Sequence, residues 1–280
     1  MTRALVLGGG GVTGVAWELG LLAGLAARGL DVTGAELVVG TSAGSVVGAQ
    51  VCSGTPVEEL YAAQLRPARG EVAARLGVGV LARWAWAGAR GRDEVRARAR
   101  VGAMALAART PSEESRRAVI AARLPVRQWP ARRLLVTAVD AASGEFLVFD
   151  ATSEVALVDA VGASCAVPGV WPPVTIGGRR YVDGGVRSAV NADLAAGARA
   201  VVVLAPTRAG FGPMPRLAAQ VAQLRSAGAE VVVVSPDRAA RAAIGRNVLD
   251  PARRAASARA GFAQAAAVAE EVSAVWTAGG

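Results

Sequence analysis

Short runs of valine and leucine recur along this chain, and most are followed by a stretch of helical length. Arg3-Ala-Leu-Val-Leu7 passes through glycines 8–11 into a helix expected from about Gly14 to Arg28. Glu36-Leu-Val-Val39 passes through Gly40-Thr-Ser-Ala-Gly44 into an apolar helix reaching about Ser53. Ala200-Val-Val-Val-Leu204 and Glu230-Val-Val-Val-Val234 repeat the pattern late in the chain. Short β-branched strands alternating with helices are what a largely parallel sheet covered by helices requires, so the chain reads as α/β with helices on both faces. Leu134–Val139 and Glu145–Phe149, joined by the turn residues Asp140-Ala-Ala-Ser-Gly144, read as a hairpin added to that sheet.

Residues 55–128 differ: they are rich in alanine and arginine, have helical spacing and read as a helical insertion. Between Arg66 and Arg133 there are 16 arginines against five acids. Trp84 and Trp86 lie in this segment, two residues apart and therefore on different helix faces. Two readings fit it, a solvated arginine face with tryptophans packed inward, or a cap that meets a lipid interface. A last helix is expected from Pro251 to Trp276, with Asp250 as its cap and Pro251 in its first turn. No linker divides the chain, so residues 1–280 are expected to form one domain, with its C-terminal strands and helices in 197–280.

The inventory of side chains narrows the chemistry. The chain has no histidine and no lysine, so all 31 cationic side chains are arginine, which stays protonated and cannot serve as a general base. A serine could not be activated here through a Ser-His-Asp triad or a Ser-Lys dyad. The base left near neutral pH is a carboxylate. The same gap argues against most zinc sites, pyridoxal-phosphate enzymes and lysine-dependent phosphate loops, so no metal and no cofactor are expected. Cys52 and Cys165 stand far apart and read as buried thiols in a reducing compartment.

Three motifs carry the candidate chemistry. Gly40-Thr41-Ser42-Ala43-Gly44 fits G-x-S-x-G between a strand and a helix, where glycines allow a sharp turn and the serine projects above the helix start. The bland alternative is a buried serine capping a helix. Gly9-Gly10-Gly11-Val12-Thr13-Gly14 fits G-x-G-x-x-G, which also marks dinucleotide binding. That reading wants an acid at the end of the second strand, yet Glu36 stands at its start. The loop can instead offer the N–H groups of Gly9 to Val12, chiefly Gly10, Gly11 and Val12, to an oxyanion. The third motif is Asp183-Gly184-Gly185, after the proline-rich segment 168–173 and a further strand.

In this order the three motifs make the chain, from Leu5 to Leu194, resemble the patatin-like phospholipase family, including its bacterial members. The resemblance implies the family's three-layer α/β fold and a catalytic dyad of Ser42 and Asp183, with Gly14, Gly40, Gly44, Gly184 and Gly185 shaping the motifs. It also implies a serine acyl hydrolase acting on lipid esters, of phospholipase A or lipid acyl hydrolase type. The chain departs from the family in having Thr13 where a basic residue is frequent. It also has Ala192 after Asn191 where proline is frequent, which leaves Asn191 a candidate to support Asp183. A nucleotide-binding module and a catalytically silent lipid-binding protein are the competing readings.

The formal charge of +9 suits an anionic membrane as a peripheral partner, although alanine, arginine and glycine without lysine is also the imprint of a GC-rich genome. No nucleic-acid partner is expected. The uncharged stretches 37–57 and 160–178 are broken by polar residues, glycines and prolines, and the N-terminus lacks a signal-peptide pattern. A cytoplasmic chain, touching membranes at most peripherally, is expected.

Overall fold

The computed structural model describes residues 2–67, 93–207 and 215–278, together with positions 74, 75, 77, 79, 82 and 84. Trp86 lies outside the described residues, as does much of the expected insertion around it.

Strands form at β1 (Arg3–Leu7), β2 (Leu37–Gly40), β3 (Arg133–Asp140), β4 (Phe146–Phe149), β5 (Val174–Ile176), β6 (Arg179–Asp183), β7 (Ala200–Leu204) and β8 (Glu230–Val234). The helices are α1 (Gly11–Ala26), α2 (Ala43–Cys52), α3 (Val57–Leu65), α4 (Glu94–Leu106), α5 (Glu113–Arg123) and α6 (Leu157–Ser164). They continue with α7 (Leu217–Ser226), α8 (Arg238–Ile244) and α9 (Arg254–Ala278). The sheet runs β5-β6-β3-β2-β1-β7-β8, with β4 paired to β3. Its centre, β3-β2-β1-β7-β8, is parallel, and the pairs that involve β4, β5 and β6 are antiparallel.

The parallel strands read as continuous apolar runs because both faces are covered. Leu5, Leu7, Val38, Val202 and Leu204 share one core with α1, α2 and α9. The alternate residues Ala4, Val6, Val39, Val201 and Val203 share another with Val221 and Leu224 of α7. The closest helix pair is α1 against α9. A Cβ at Gly20 would collide with Ala258 O, and one at Gly261 would collide with Trp17 O. Glycine at these crossings lets the two backbones touch.

The start of α1 differs from the sequence expectation. Helix α1 begins at Gly11 rather than Gly14, because Gly14 N–H already bonds Gly10 O at 2.8 Å. The glycine run is therefore wound into the first helical turn, whose N–H groups lack intrahelical partners. Within 55–128, α3 packs on α1 and α9, α4 on β3 and β6, and α5 on α6. Trp84 is buried against Val101, Ala105, Val139 and Val186, the inward packing of the first reading. The final helix has the cap that sequence suggests: Asp250 accepts from Ala252 N–H, followed by a 3₁₀ turn at Pro251–Arg253. Among the described residues no helix is long and apolar enough to cross a membrane.

Strand β3 positions the site. It pairs with β2 through residues 133–136, with β4 through 136–139 and with β6 through 138–140. β4 shares β3 residues with both others, so it must lie on the opposite edge, and β2 and β6 follow one another along a single edge. β2 ends at Gly40 opposite Val136, and the oppositely directed β6 ends at Asp183 opposite Ala138. Only Thr137 stands between, so the residues that leave these two strand ends must meet.

Candidate active site

Ser42 leaves β2 in a strained turn, with φ 54° and ψ −114°, a region that L-residues rarely occupy. Glycines make the turn sterically feasible. A Cβ at Gly44 would run into Leu7 O, and one at Gly40 would lie 2.5 Å from Ser45 Cα. Gly44 N–H bonds Gly8 O at 3.0 Å, tying the turn to the end of β1. The strained residue is held at both of its peptide groups. Its N–H donates to Ser164 Oγ at 2.9 Å, and its carbonyl accepts from Ser45 Oγ at 2.7 Å and Cys165 Sγ at 3.2 Å. Burial pushes the Cys165 thiol up to about 11, so this cysteine is a neutral donor, not a nucleophile. Cys52 is likewise buried, its pKa raised to about 11 by desolvation.

Asp183 is 5% exposed and lines the same cavity as Ser42. Desolvation pushes its pKa up to about 7, against the lowering effects of the nearby Ser42 side chain and of a hydrogen bond from Gly185 N–H, which is 2.7 Å from Oδ1. Gly184 lies so near Thr137 that a Cβ would strike its hydroxyl. The two motifs are then sewn together by neutral polar groups. Thr137 Oγ1 donates to Thr41 Oγ1 at 3.1 Å, and Asn191 Nδ2 donates to Thr41 Oγ1 at 3.0 Å and to Ser188 O at 2.9 Å. Asn191 makes no hydrogen bond to Asp183; it reaches the neighbouring Gly184 O at 3.4 Å. Asn191 Oδ1 is fixed in turn by Arg187, which also pairs with Asp193 at 2.7 Å.

The glycine loop faces this pair. Gly9 N–H is spent on Ala189 O at 2.7 Å, which removes it from the expected set of oxyanion donors. Among the described residues, no hydrogen-bond partner is found for the N–H groups of Gly10, Gly11 and Val12. Gly11 has φ +60°, and a Cβ there would lie 2.5 Å from Val248 O, leaving no room for a side chain. Thr13, where the family frequently has a basic residue, is buried and donates its hydroxyl to Val248 O at 3.1 Å, fastening the loop from below. A cavity of about 140 Å³ adjoins Gly10, Gly11, Ser42 and Asp183, with walls that include Trp84, Val186 and Leu249.

A family model described as patatin-like phospholipase matches residues 5–196, more than half of the chain. The chain belongs to the patatin-like phospholipase family. Family membership supports lipid acyl hydrolase activity for it. No curated protein sequence matches this patatin-like chain. Among solved structures it is similar to VipD from Legionella pneumophila, with 13% identity and a TM-score of 0.49, over 96% of this chain and 67% of that one. It is also similar to the type III effector protein ExoU, with 15% identity and a TM-score of 0.42, over 97% of this chain and 53% of that one.

Four residues of this patatin-like site were not singled out by sequence reading: Thr137, Ser164, Ser188 and Gln220. Ser188 Oγ accepts from Asn191 N–H at 3.1 Å, and Gln220 Oε1 from Ala192 N–H at 3.2 Å. A lone threonine inside the apolar run Leu134–Val139 was the one available signal. The rival dinucleotide reading loses its acid altogether, because Glu36 accepts from Arg3 N–H at 2.8 Å at the end of the strands remote from the glycine loop. Among the described residues no cluster of three or more Cys, Asp or Glu could hold a metal ion.

Proposed function

We propose that this chain is a carboxylic ester hydrolase of lipid esters in which Ser42 is the nucleophile, Asp183 its base, and the N–H groups of Gly10, Gly11 and Val12 the oxyanion donors. Asp183 takes the hydroxyl proton as Ser42 Oγ bonds to the carbonyl carbon. The C–O bond to the alcohol then breaks, and the same proton leaves with the alcohol. Water, deprotonated by Asp183, releases the acyl group and restores Ser42. The observation that carries this reading is a buried carboxylate that lines one cavity with Ser42, Gly10 and Gly11, its pKa pushed up to about 7 by desolvation. An ordinary aspartate is too weak a base for a hydroxyl, so both the raised pKa and the preorganised amides are needed.

The experiment is covalent labelling with a p-nitrophenyl organophosphonate, read by intact mass. One adduct per chain is expected, absent in Ser42→Ala and slowed by about a hundredfold or more in Asp183→Asn. An adduct that survives in Ser42→Ala, or an undiminished rate in Asp183→Asn, would overturn the assignment. A chain that stays unlabelled would favour the silent lipid-binding reading.

A further inference from the structure

A second space adjoins Ser42. It is a passage of only about 20 Å³, bordered by Val12, Ser42, Arg116, Arg123 and Trp171. Beside it lies a cavity of about 310 Å³ between α2, α3, α5 and the start of α9. Val12, Val15 and Arg123 line both, so the two adjoin. The apolar walls include Val15, Val46 and Val119. The charged groups are Arg66, Arg123 and Arg254, and among the described residues the lining holds no carboxylate.

These guanidinium groups stand on a built frame. Gln50 crosses from α2 to donate to Arg123 O at 2.8 Å, fixing the end of α5. Arg254 donates through Nε to Gln64 Oε1 and through Nη2 to Ala63 O, each at 3.2 Å, which joins α9 to α3. At the passage, Arg116 lies over the Trp171 ring, 3.9 Å from its centroid. Residues 116, 119 and 123 repeat at helical spacing, so a single face of α5 supplies a cation beside the serine, an apolar wall in the larger cavity and a cation common to both. A neutral ester gives such a lining nothing to pair with. Arginine's planar fork matches the oxygens of a phosphate, and adjacent valines suit the carbon skeleton that bears it.

We propose that this cavity is a phosphate subsite, in which Arg66, Arg123 and Arg254 hold a phosphate ester while the carbonyl to be cleaved lies at Ser42. Its use in turnover rests on the acyl-hydrolase reading; its capacity to bind the anion does not. The phosphate could belong to the head group of the ester itself or to a free phosphorylated compound. The two sources share one chemistry and are separated by the measurements below.

Inorganic phosphate is titrated calorimetrically into the Ser42→Ala chain, where no turnover occurs. Binding is expected, weakened about tenfold or more by Arg123→Gln and by Arg66→Gln, the second removing an exposed side chain that the fold does not need. Separately, kcat/KM is compared for dihexanoylglycerol phosphate and dihexanoylglycerol, which differ only in the phosphate. A preference of about tenfold or more for the phosphorylated ester, collapsing in Arg66→Gln, assigns the site to the head group. Phosphate binding without that preference assigns it to a free phosphate compound. Absence of phosphate binding, or binding unchanged in both arginine variants, overturns the proposal. If phosphate binds while the wild-type serine resists the phosphonate, the hydrolase reading fails and the subsite stands.

Discussion

Ser42 and Asp183 reach the same point from the two ends that meet at β3, yet they are held there by different physics. Ser42 is placed by backbone. Its turn works only because Gly40 and Gly44 lack side chains, and its strain is contained by hydrogen bonds at its own N–H and carbonyl. Asp183 sits in an ordinary extended conformation, φ −48° and ψ 130°, and has no strain to contain. Its property, a pKa raised to about 7, comes from what covers it. Geometry is thus stored at one end of the pair and electrostatics at the other, so substitutions at the two ends should fail in different ways.

The largest effect is expected at the glycines. Gly44→Ala drives a Cβ into Leu7 O, a backbone atom of the central strand that cannot step aside. Gly185→Ala brings its Cβ only to 2.9 Å from Asp183 Oδ1, the end of a side chain. The first should cost about 4 kcal/mol or more and abolish cooperative thermal unfolding. The second should keep the fold and lower the labelling rate of Ser42. Circular dichroism melts beside phosphonate labelling check both. A well-folded Gly44→Ala would show that the turn is not held by close backbone contact.

Next in size is the cost of keeping a carboxylate where Asp183 lies. Its folded pKa of about 7 stands above the ordinary 3.8, so the folded state holds a proton that the unfolded state gives up. Stability from this group is complete below about pH 4 and is lost as pH rises towards 7. Asp183→Asn removes the penalty and should be more stable than wild type at pH 8 by a few kcal/mol, on the scale of about 1.4 kcal/mol per pH unit, and melt at a higher temperature. At pH 4 the two should melt alike. Activity should move oppositely, with kcat/KM for short p-nitrophenyl esters rising through a midpoint near pH 7 as the base ionises. A midpoint near pH 4 would mean that substrate-free Asp183 is hydrated and the opening contrast does not hold. Glu18 belongs to the same class, since burial raises its pKa well above the ordinary value, but it lies in α1 and outside the proposed chemistry.

This contrast also explains what the sequence revealed. Whatever is local was legible. Four parallel strands were recognisable as apolar runs, and the serine turn as glycines at fixed offsets, because a single backbone segment carries each signal. What depends on neighbours brought in from elsewhere was not. The start of α1 was misplaced by three residues because glycine propensity conceals a helix whose first turn is fixed by Val248 and Gly10. Gly9 looked like an oxyanion donor because nothing nearby in sequence announces Ala189 O as its partner. Asp183 was a candidate by motif, but its raised pKa needs the burial that its neighbours in the fold create. Cys165 read as an inert buried thiol, and only the fold shows that it hydrogen-bonds the serine carbonyl.

The smallest and most discriminating effect is expected where the two kinds of support meet, at Ser164. Its hydroxyl, 122 residues away in sequence, accepts the N–H of the strained serine at 2.9 Å. Ser164→Ala leaves that N–H buried and unpaired, at a cost of about 1–3 kcal/mol. The turn can recover part of this by relaxing its φ, which would draw Oγ away from Asp183. A modest fall in melting temperature should therefore accompany a fall in the phosphonate labelling rate of about tenfold. Cys165→Ala is the comparison. The Ser42 carbonyl also accepts from Ser45 N–H at 3.0 Å and Ser45 Oγ at 2.7 Å, so losing a weak thiol donor should change neither quantity much. Equal behaviour of the two variants would mean that the strain at Ser42 is contained by its glycines alone, with α6 contributing only cover.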